Sequence, residues 1–370
     1  MTLFLHPVTQ VLYDKSLLSV IYEWTGELSI LDINKHINRN IKKYLLFISL
    51  NRSASYLKYY KDKVYRTYIN NLLHDTKRQL KINLEWQYLN EFNAKDDGLI
   101  NLQNLNFLNI SRNDLIENVN VLSTCYSLKL FFCQNVSNVS ALGYLHYLDI
   151  SFCHLVTDVS MLGNLNTLIL KGCIGIKDFS IFSSFKVNHL NLSNTLISNT
   201  NDIRNVKTLV INDCDHLFDI SSLKKNKELK EVSIIINKHI NDVSSLCNVP
   251  TVRIGRICNL VDISALEKVT KLVISDCNKI TDVSKLSKVP NLTLMDLINL
   301  VDISNLGDHD KLCIIKCGHI LEQSQFRQVT HLSKVRNCLL IGEEMVRYDK
   351  DVILFLKSKV NDFEVIFNKY

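Results

Sequence analysis

The sequence predicts an α/β repeat fold: a solenoid of about 12 short repeats, each adding one strand to a parallel β spine, preceded by a small helical N-terminal domain. Three observations predict it. An apolar pattern returns roughly every 20 residues from about residue 99. A second marker, Asp-Val/Ile-Ser, keeps phase with the first. Residues 1–98 lack that period and show helical spacing instead.

The strand element comes first. Leu145-x-x-Leu148-x-Ile150-x-x-Cys153 is followed by Leu165-x-x-Leu168-x-Leu170-x-x-Cys173. Val206-x-x-Leu209-x-Ile211-x-x-Cys214 and Val269-x-x-Leu272-x-Ile274-x-x-Cys277 repeat it, and Leu105-x-x-Leu108-x-Ile110-x-x-Asn113 precedes it. The second apolar position sets the register at Leu108, Leu128, Leu148, Leu168, Leu190, Leu209, Val232, Val252, Leu272, Leu292, Leu312 and Leu332. Alternating apolar residues such as Leu148 and Ile150 share one face of a short strand, which no single strand can bury alone. Stacked equivalents close a continuous core.

The turn element lies ten residues after that position: Asp158-Val159-Ser160, Asp178-Phe179-Ser180, Asp219-Ile220-Ser221, Asp242-Val243-Ser244, and so on to Asp302-Ile303-Ser304. The serine is expected to cap a short helical or 3₁₀ turn, with Val or Ile as a buried plug. A 20-residue unit leaves little room for a full helix on the opposite side.

This pattern resembles the leucine-rich repeat family over residues 99–338, residue for residue in the copies quoted. It is degenerate near 195–205, 252–258 and in the last copy, where Lys334 occupies a normally apolar position. The resemblance implies a protein-binding surface rather than a catalytic cleft. Cys133, Cys153, Cys173, Cys214, Cys277 and Cys317 all fall at the family's Asn/Cys position, where a small buried residue with a weak donor suits a turn carbonyl. Cys313-x-x-x-Cys317-x-His319 is the one cluster with metal-like spacing, but alternation separates the two thiols, so no metal and no cofactor are expected.

The N-terminal elements read as helices. Apolar residues recur at Leu17, Leu18, Ile21, Ile33, Ile37, Ile41 and Leu45, with Asp14 or Ser16 available as a cap. A second stripe runs through Leu57, Tyr60, Val64, Tyr68 and Leu72. Residues 12–46 resemble an F-box: Leu12 to Ile21 fit its opening, Asp32-Ile33 its turn, and Ile37 and Ile41 its last helix, although Tyr13 replaces the usual proline and the downstream tryptophan has no counterpart. An F-box followed by leucine-rich repeats is an arrangement of substrate receptors in cullin-RING ubiquitin ligases. The resemblance therefore implies that Leu12, Leu17, Leu18, Val20 and Ile21 bind the ligase's adaptor subunit by apolar burial. The expected division is an F-box-like helical region at 1–50, a helical linker or N-terminal cap at 51–98, the repeats at 99–338 and a C-terminal cap at 339–370. The cap reads as a last strand and an amphipathic helix through Val352, Phe355, Leu356 and Val360.

Composition narrows the function classes. Hydrophobic residues at 46% and charged residues at 22% match globular averages, which argues against general disorder. A net charge of +6 is too mild to indicate a nucleic-acid protein, although residues 41–81 carry ten basic and two acidic side chains among tyrosines. No apolar window is long enough for a membrane helix, and the N-terminus lacks a secretory pattern, so 11 cysteines are expected as reduced thiols in an intracellular, cytoplasmic setting. The 39 asparagines fit either an AT-rich genome or Asn-tolerant turns. No Gly-x-Ser-x-Gly, Walker loop or His-Glu-x-x-His occurs, so the chain is not expected to be an enzyme.

Variable strand positions should line the concave face. Phe131, Phe132, Tyr147 and Phe152 fall there in early repeats, and Arg253, Arg256, Lys271, Asp276 and Lys311 in later ones. Phe132, Phe152 and Arg253 are the candidate target-binding residues. Two alternatives stand beside the ligase adaptor: a repeat scaffold or inhibitor whose N-terminal helices only cap the stack, and a nucleic-acid-associated protein using the basic helices.

Overall fold

The computed structural model of the chain describes residues 47–50, 58–76, 79–83, 96–300, 303, 306, 309–315, 317, 337–343 and 362–368. The chain forms two compact units, Met1–Leu168 and Ile169–Tyr370. Leu12, Leu17, Leu18, Val20 and Ile21 lie outside the described residues, as do Leu332 and the helix expected through Val352–Val360.

In the first unit, strands β1 (Phe47–Leu50), β2 (Gln79–Asn83), β3 (Phe107–Asn109), β4 (Ser127–Lys129) and β5 (Tyr147–Asp149) pair in chain order, all parallel. Their register runs Leu50↔Ile82, Ile82↔Leu108, Leu108↔Leu128 and Leu128↔Leu148. Strand β6 (Thr167–Ile169) lies at the division between the units. In the second unit, β7 (His189–Asn191), β8 (Thr208–Val210), β9 (Glu231–Ile235), β10 (Thr251–Gly255), β11 (Lys271–Ser275), β12 (Asn291–Met295) and β13 (Lys311–Ile315) pair in chain order, all parallel. Leu190, Leu209, Val232, Val252, Leu272, Leu292 and Leu312 align rung on rung. None of these seven is more than 2% exposed. At about 1.5–3 kcal/mol for each aliphatic side chain taken out of water, the apolar rung is the main cohesive term of each unit.

Three expectations need correction. β1 and β2 put two rungs into a stretch read as helical throughout, because their spacing to β3 does not follow the 20-residue period. The helix of that stretch, α1 (Lys63–Thr76), buries Ile69, while Val64 is 79% and Tyr68 56% exposed, so these two members of the stripe chosen from the sequence face outward and Leu72 is half-buried. Ile69 directly follows Tyr68, and a pattern this short carries two competing stripes. Finally, the rung after β13 is not centred on Leu332. β14 (Asn337–Glu343) aligns Cys338 with Leu312, and β15 (Asp362–Asn368) adds a further parallel rung beyond it. The run Cys338-Leu339-Leu340-Ile341 supplies an unbroken apolar strand where the Leu332 copy has Lys334.

The returns between rungs are 3₁₀ turns, such as Ser140–Tyr144, Ser221–Lys225 and Ser264–Lys268. The expected plug is in place: Val159, Ile220, Val243, Ile263 and Val283 are at most 3% exposed. The cap differs from expectation. It is the aspartate, not the serine, that closes each turn: the Ser160 N–H donates to Asp158 Oδ1 at 2.8 Å, Ser221 to Asp219 at 2.7 Å and Ser264 to Asp262 at 2.8 Å. Asn118 and Asn138 accept the equivalent bond at 3.0 Å, so the Asn-for-Asp exchange in early repeats costs no acceptor. These bonds hold the carboxyls of Asp158, Asp219 and Asp262 below the usual carboxylate range. Each aspartate is engaged in its own turn.

One periodic feature went unread in the sequence. Four residues after each register position the backbone turns left-handed: Arg112, Phe132, Phe152, Gly172, Asn194, Asp213, Ile236, Arg256, Asp276 and Asp296 all have φ between 49° and 70°. Nine of these turns are fixed by a bond to the next rung, as in Phe132 N–H to Ser151 O (2.8 Å) and Ile236 N–H to Gly255 O (2.9 Å). That bond uses no side chain, so the sequence at this position is free to vary. Steric cost is not uniform, because a β-branched residue tolerates positive φ worst. Ile236→Asn, matching Asn194, is therefore expected to raise stability by about 0.5–1 kcal/mol. A thermal melt that shows a lower midpoint for the variant refutes this account of the turn.

Candidate functional site

The first unit carries an aromatic patch at the C-terminal ends of β4 and β5. Phe131 and Phe132 directly follow β4's last rung residues, and Phe152 occupies the position equivalent to Phe132 one repeat later. The left-handed turns at Phe132 and Phe152 lift both rings out of the strand and into the turn. Ring centroids lie 5.6 Å apart for Phe131–Phe152, in an edge-on arrangement, and 6.3 Å for Phe132–Phe152. His154 joins edge-on at 6.4 Å from Phe132 and 6.3 Å from Phe152. The Arg112 guanidinium sits 5.6 Å over the Phe131 ring. Phe132 remains 42% exposed, so a large apolar ring is presented to solvent amid polar neighbours.

Tyr147 stands apart from this group, on the strand itself. Lys129 Nζ lies 5.6 Å over its ring, and burial together with the nearby Asp149 carboxylate pushes its hydroxyl up to about 12. Phe132 and Phe152 thus come together as a pair. Arg253 lies in the second unit on β10, exposed, with its guanidinium 3.4 Å from Glu231 across the strand pair; Arg256 similarly reaches Asp276 at 3.6 Å. Exposed pairs of this kind contribute little to stability. Sequence reasoning missed Arg112 and His154, although Arg112, Phe132 and Phe152 share one repeat position and the 20-residue period places them in a column.

The cysteine position behaves as a structural ladder. Cys133, Cys153 and Cys214 are fully buried, and their thiols donate to the preceding repeat's carbonyls at Ile110 (3.5 Å), Leu130 (3.1 Å) and Leu192 (3.3 Å). Burial pushes the Cys133 and Cys153 thiols up to about 12. Among the described residues no group of three or more His, Cys, Asp or Glu is placed to hold a metal ion, and no helix is long and apolar enough to cross a membrane. None of the ten cysteines from Cys125 to Cys317 is in a disulfide, and of these only Cys258 is exposed. A thiol reagent is therefore expected to modify Cys258 first among them, with Cys133 and Cys153 reacting only once the stack opens. Peptide mapping that finds Cys133 or Cys153 labelled as fast as Cys258 in the folded chain contradicts the ladder.

No protein-family model matches the chain, nor does any curated protein. Solved structures do. An internalin of Listeria monocytogenes, InlF, is 19% identical with a TM-score of 0.53, covering 74% of this chain and 83% of its own. The functional domain of the Listeria monocytogenes InlJ, which includes a cysteine ladder, is 15% identical with a TM-score of 0.45, covering 72% and 68%. A leucine-rich repeat protein of Leptospira interrogans is 12% identical with a TM-score of 0.41, covering 89% and 92%. At such identities the likeness concerns the fold alone. The register of the rungs and the likeness to the InlF structure together identify a leucine-rich repeat fold.

Proposed function

We propose that the chain is a non-catalytic protein-interaction module whose contact surface in the first unit centres on Phe132 and Phe152. The observation that carries this reading is the exposed, mutually packed cluster of Phe131, Phe132, Phe152 and His154 under Arg112. Clustered aromatics flanked by arginine are the side chains that dominate protein interfaces, because they bury large area with little conformational entropy to lose. Arg253, in the second unit, is proposed as a separate contact residue: its pair with Glu231 is exposed and open to exchange for a partner's carboxylate. The free thiols of both units suit a reducing, intracellular compartment.

Within this reading, residues 12–46 dock on a cullin-ligase adaptor subunit through Leu12, Leu17, Leu18, Val20 and Ile21, and the repeats hold the ligase's target. The resemblance of that segment to an F-box supports it. The alternative is a scaffold or inhibitor with no ubiquitin role. Purified adaptor subunit mixed with the intact chain separates the two: co-elution that is lost in Leu17→Asp plus Leu18→Asp supports the adaptor, and no co-elution leaves the scaffold. For the repeat surface, a photo-crosslinking residue at position 132 is expected to capture a discrete partner that one at Lys177 does not. Phe132→Ala plus Phe152→Ala is then expected to weaken that complex by about 10- to 100-fold, from roughly 1–3 kcal/mol of lost apolar contact. An undiminished affinity removes the patch from the interface.

A further inference from the structure

A cleft of about 640 Å³ opens in the first unit at the opposite, N-terminal ends of β3 and β4, between the residues just ahead of those strands, α1 and Leu80 of β2. Its size falls within the range of small-ligand sites, about 300–1,000 Å³. Leu73, Leu80 and Leu105 give it an apolar floor, with Leu80 and Leu105 each 3% exposed. Its rim is rich in carboxamides: Asn70, Gln103, Asn104 and Asn106. No carboxylate, lysine or arginine is among its described lining residues.

Several features show the rim is held in place. The Arg66 guanidinium donates to the carbonyls of Tyr59 and Tyr60, both at 2.8 Å, and so pins the segment before α1 against the helix. The buried Tyr59 hydroxyl donates to Asn70 Oδ1 at 2.9 Å, which orients the Asn70 amide with its N–H₂ left to donate. Asn104 has φ 58°, and it breaks the periodic series of left-handed residues described above. Its N–H donates to Thr124 Oγ1 at 3.1 Å, which fixes this left-handed residue at the cleft wall. Tyr126 lines the cleft half-exposed, with one ring face stacked on His146 at 4.5 Å and 10°. The side-chain amides of Gln103 and Asn106 make no hydrogen bond among the described residues.

We propose that this cleft binds a neutral carbohydrate. A carboxamide both donates and accepts, and so does a sugar hydroxyl, so each can satisfy the other completely. An apolar ligand would instead strand the amides, at about 1–3 kcal/mol for each group left unpaired. An anionic ligand would find no lysine or arginine on the described rim, only the His74 imidazole. The flat, immobilised ring of Tyr126 supplies the apolar surface on which the C–H face of a sugar ring rests. The site is separate from the aromatic patch, since Tyr126 precedes β4 and Phe131 follows it.

The test is titration calorimetry of the full chain with maltotriose, cellotriose and triacetylchitotriose, each at low and high salt. At least one is expected to bind saturably, with an affinity that salt does not change, because the ligand carries no charge. Tyr126→Ala and Asn106→Leu are each expected to weaken binding at least tenfold, or about 1.4 kcal/mol, while Tyr126→Phe retains it. Circular dichroism confirms that each variant is folded. Phe132→Ala is expected to leave sugar affinity unchanged, which separates this site from the protein-binding surface. Failure of all three sugars to bind overturns the proposal, as does binding that persists in both weakening variants.

Discussion

Leu272→Ala is expected to cost about 2–5 kcal/mol, the range for emptying a fully buried leucine site that cannot collapse around the void. Leu272 is 0% exposed and lies between Val252 on β10 and Leu292 on β12, which leaves neither neighbour able to fill the space without leaving its own rung. In a stack where each repeat touches only its neighbours, the loss falls on two interfaces at once. The expected readout is a thermal midpoint lowered on the order of 10 °C, with hydrogen-exchange protection lost first in β10, β11 and β12. Lys271→Ala, one residue away and exposed, is expected to change stability by less than about 0.5 kcal/mol. Equal effects at the two positions, or a protection loss spread evenly over the second unit, contradict the rung-by-rung account.

The same physics decides what the sequence shows. Rungs are legible because every strand buries the same two positions, so Leu148 and Ile150 repeat as a pattern that propensity alone would not give. The plug at Val159 and the thiol at Cys153 are legible for the same reason: each fills an equivalent buried space in successive repeats. Rungs outside the period are not. β1 and β2 carry Leu50 and Ile82 in register with Leu108, but the intervening chain departs from 20 residues, and segments of four or five residues are too short to distinguish strand from helix. The left-handed turn was hidden because it is held by backbone bonds, which leave Phe, Gly, Asp, Ile and Arg equally visible at one position. For the candidate site, the column of Phe132 and Phe152 follows from the period. The edge-on packing with His154 and the Arg112 overlay depend on the turn's geometry and are seen only in three dimensions. The amide-rimmed cleft was illegible altogether, because it joins α1 to two strand beginnings that no shared period connects.

Asn237 shows why the repeat tolerates cysteine in most copies and yet cannot take it here without loss. The side chain is 0% exposed, and its Nδ2 donates to Ile211 O at 3.1 Å across the rung. Its Oδ1 accepts the Cys214 N–H at 3.1 Å. In earlier repeats the equivalent N–H groups of Cys133, Cys153 and Cys173 bond within their own turns, to Leu130, Ile150 and Leu170, so a thiol that only donates is sufficient there. The longer stretch between β8 and β9, where the register step is 23 residues rather than 20, coincides with the copy in which the Cys214 N–H turns to a side chain instead. Asn237→Ala therefore orphans a buried donor and removes a partner from a buried acceptor, at an expected cost of roughly 2–4 kcal/mol. Asn237→Cys keeps a weak donor and loses the acceptor, so it should fall about midway between Ala and the native residue. Chemical denaturation is expected to give the midpoint order Asn, Cys, Ala with an unchanged slope, since the surface exposed on unfolding is the same. An alanine variant as stable as the native chain would mean that the Cys214 N–H finds another partner, and that the asparagine is a packing residue like the cysteines above it.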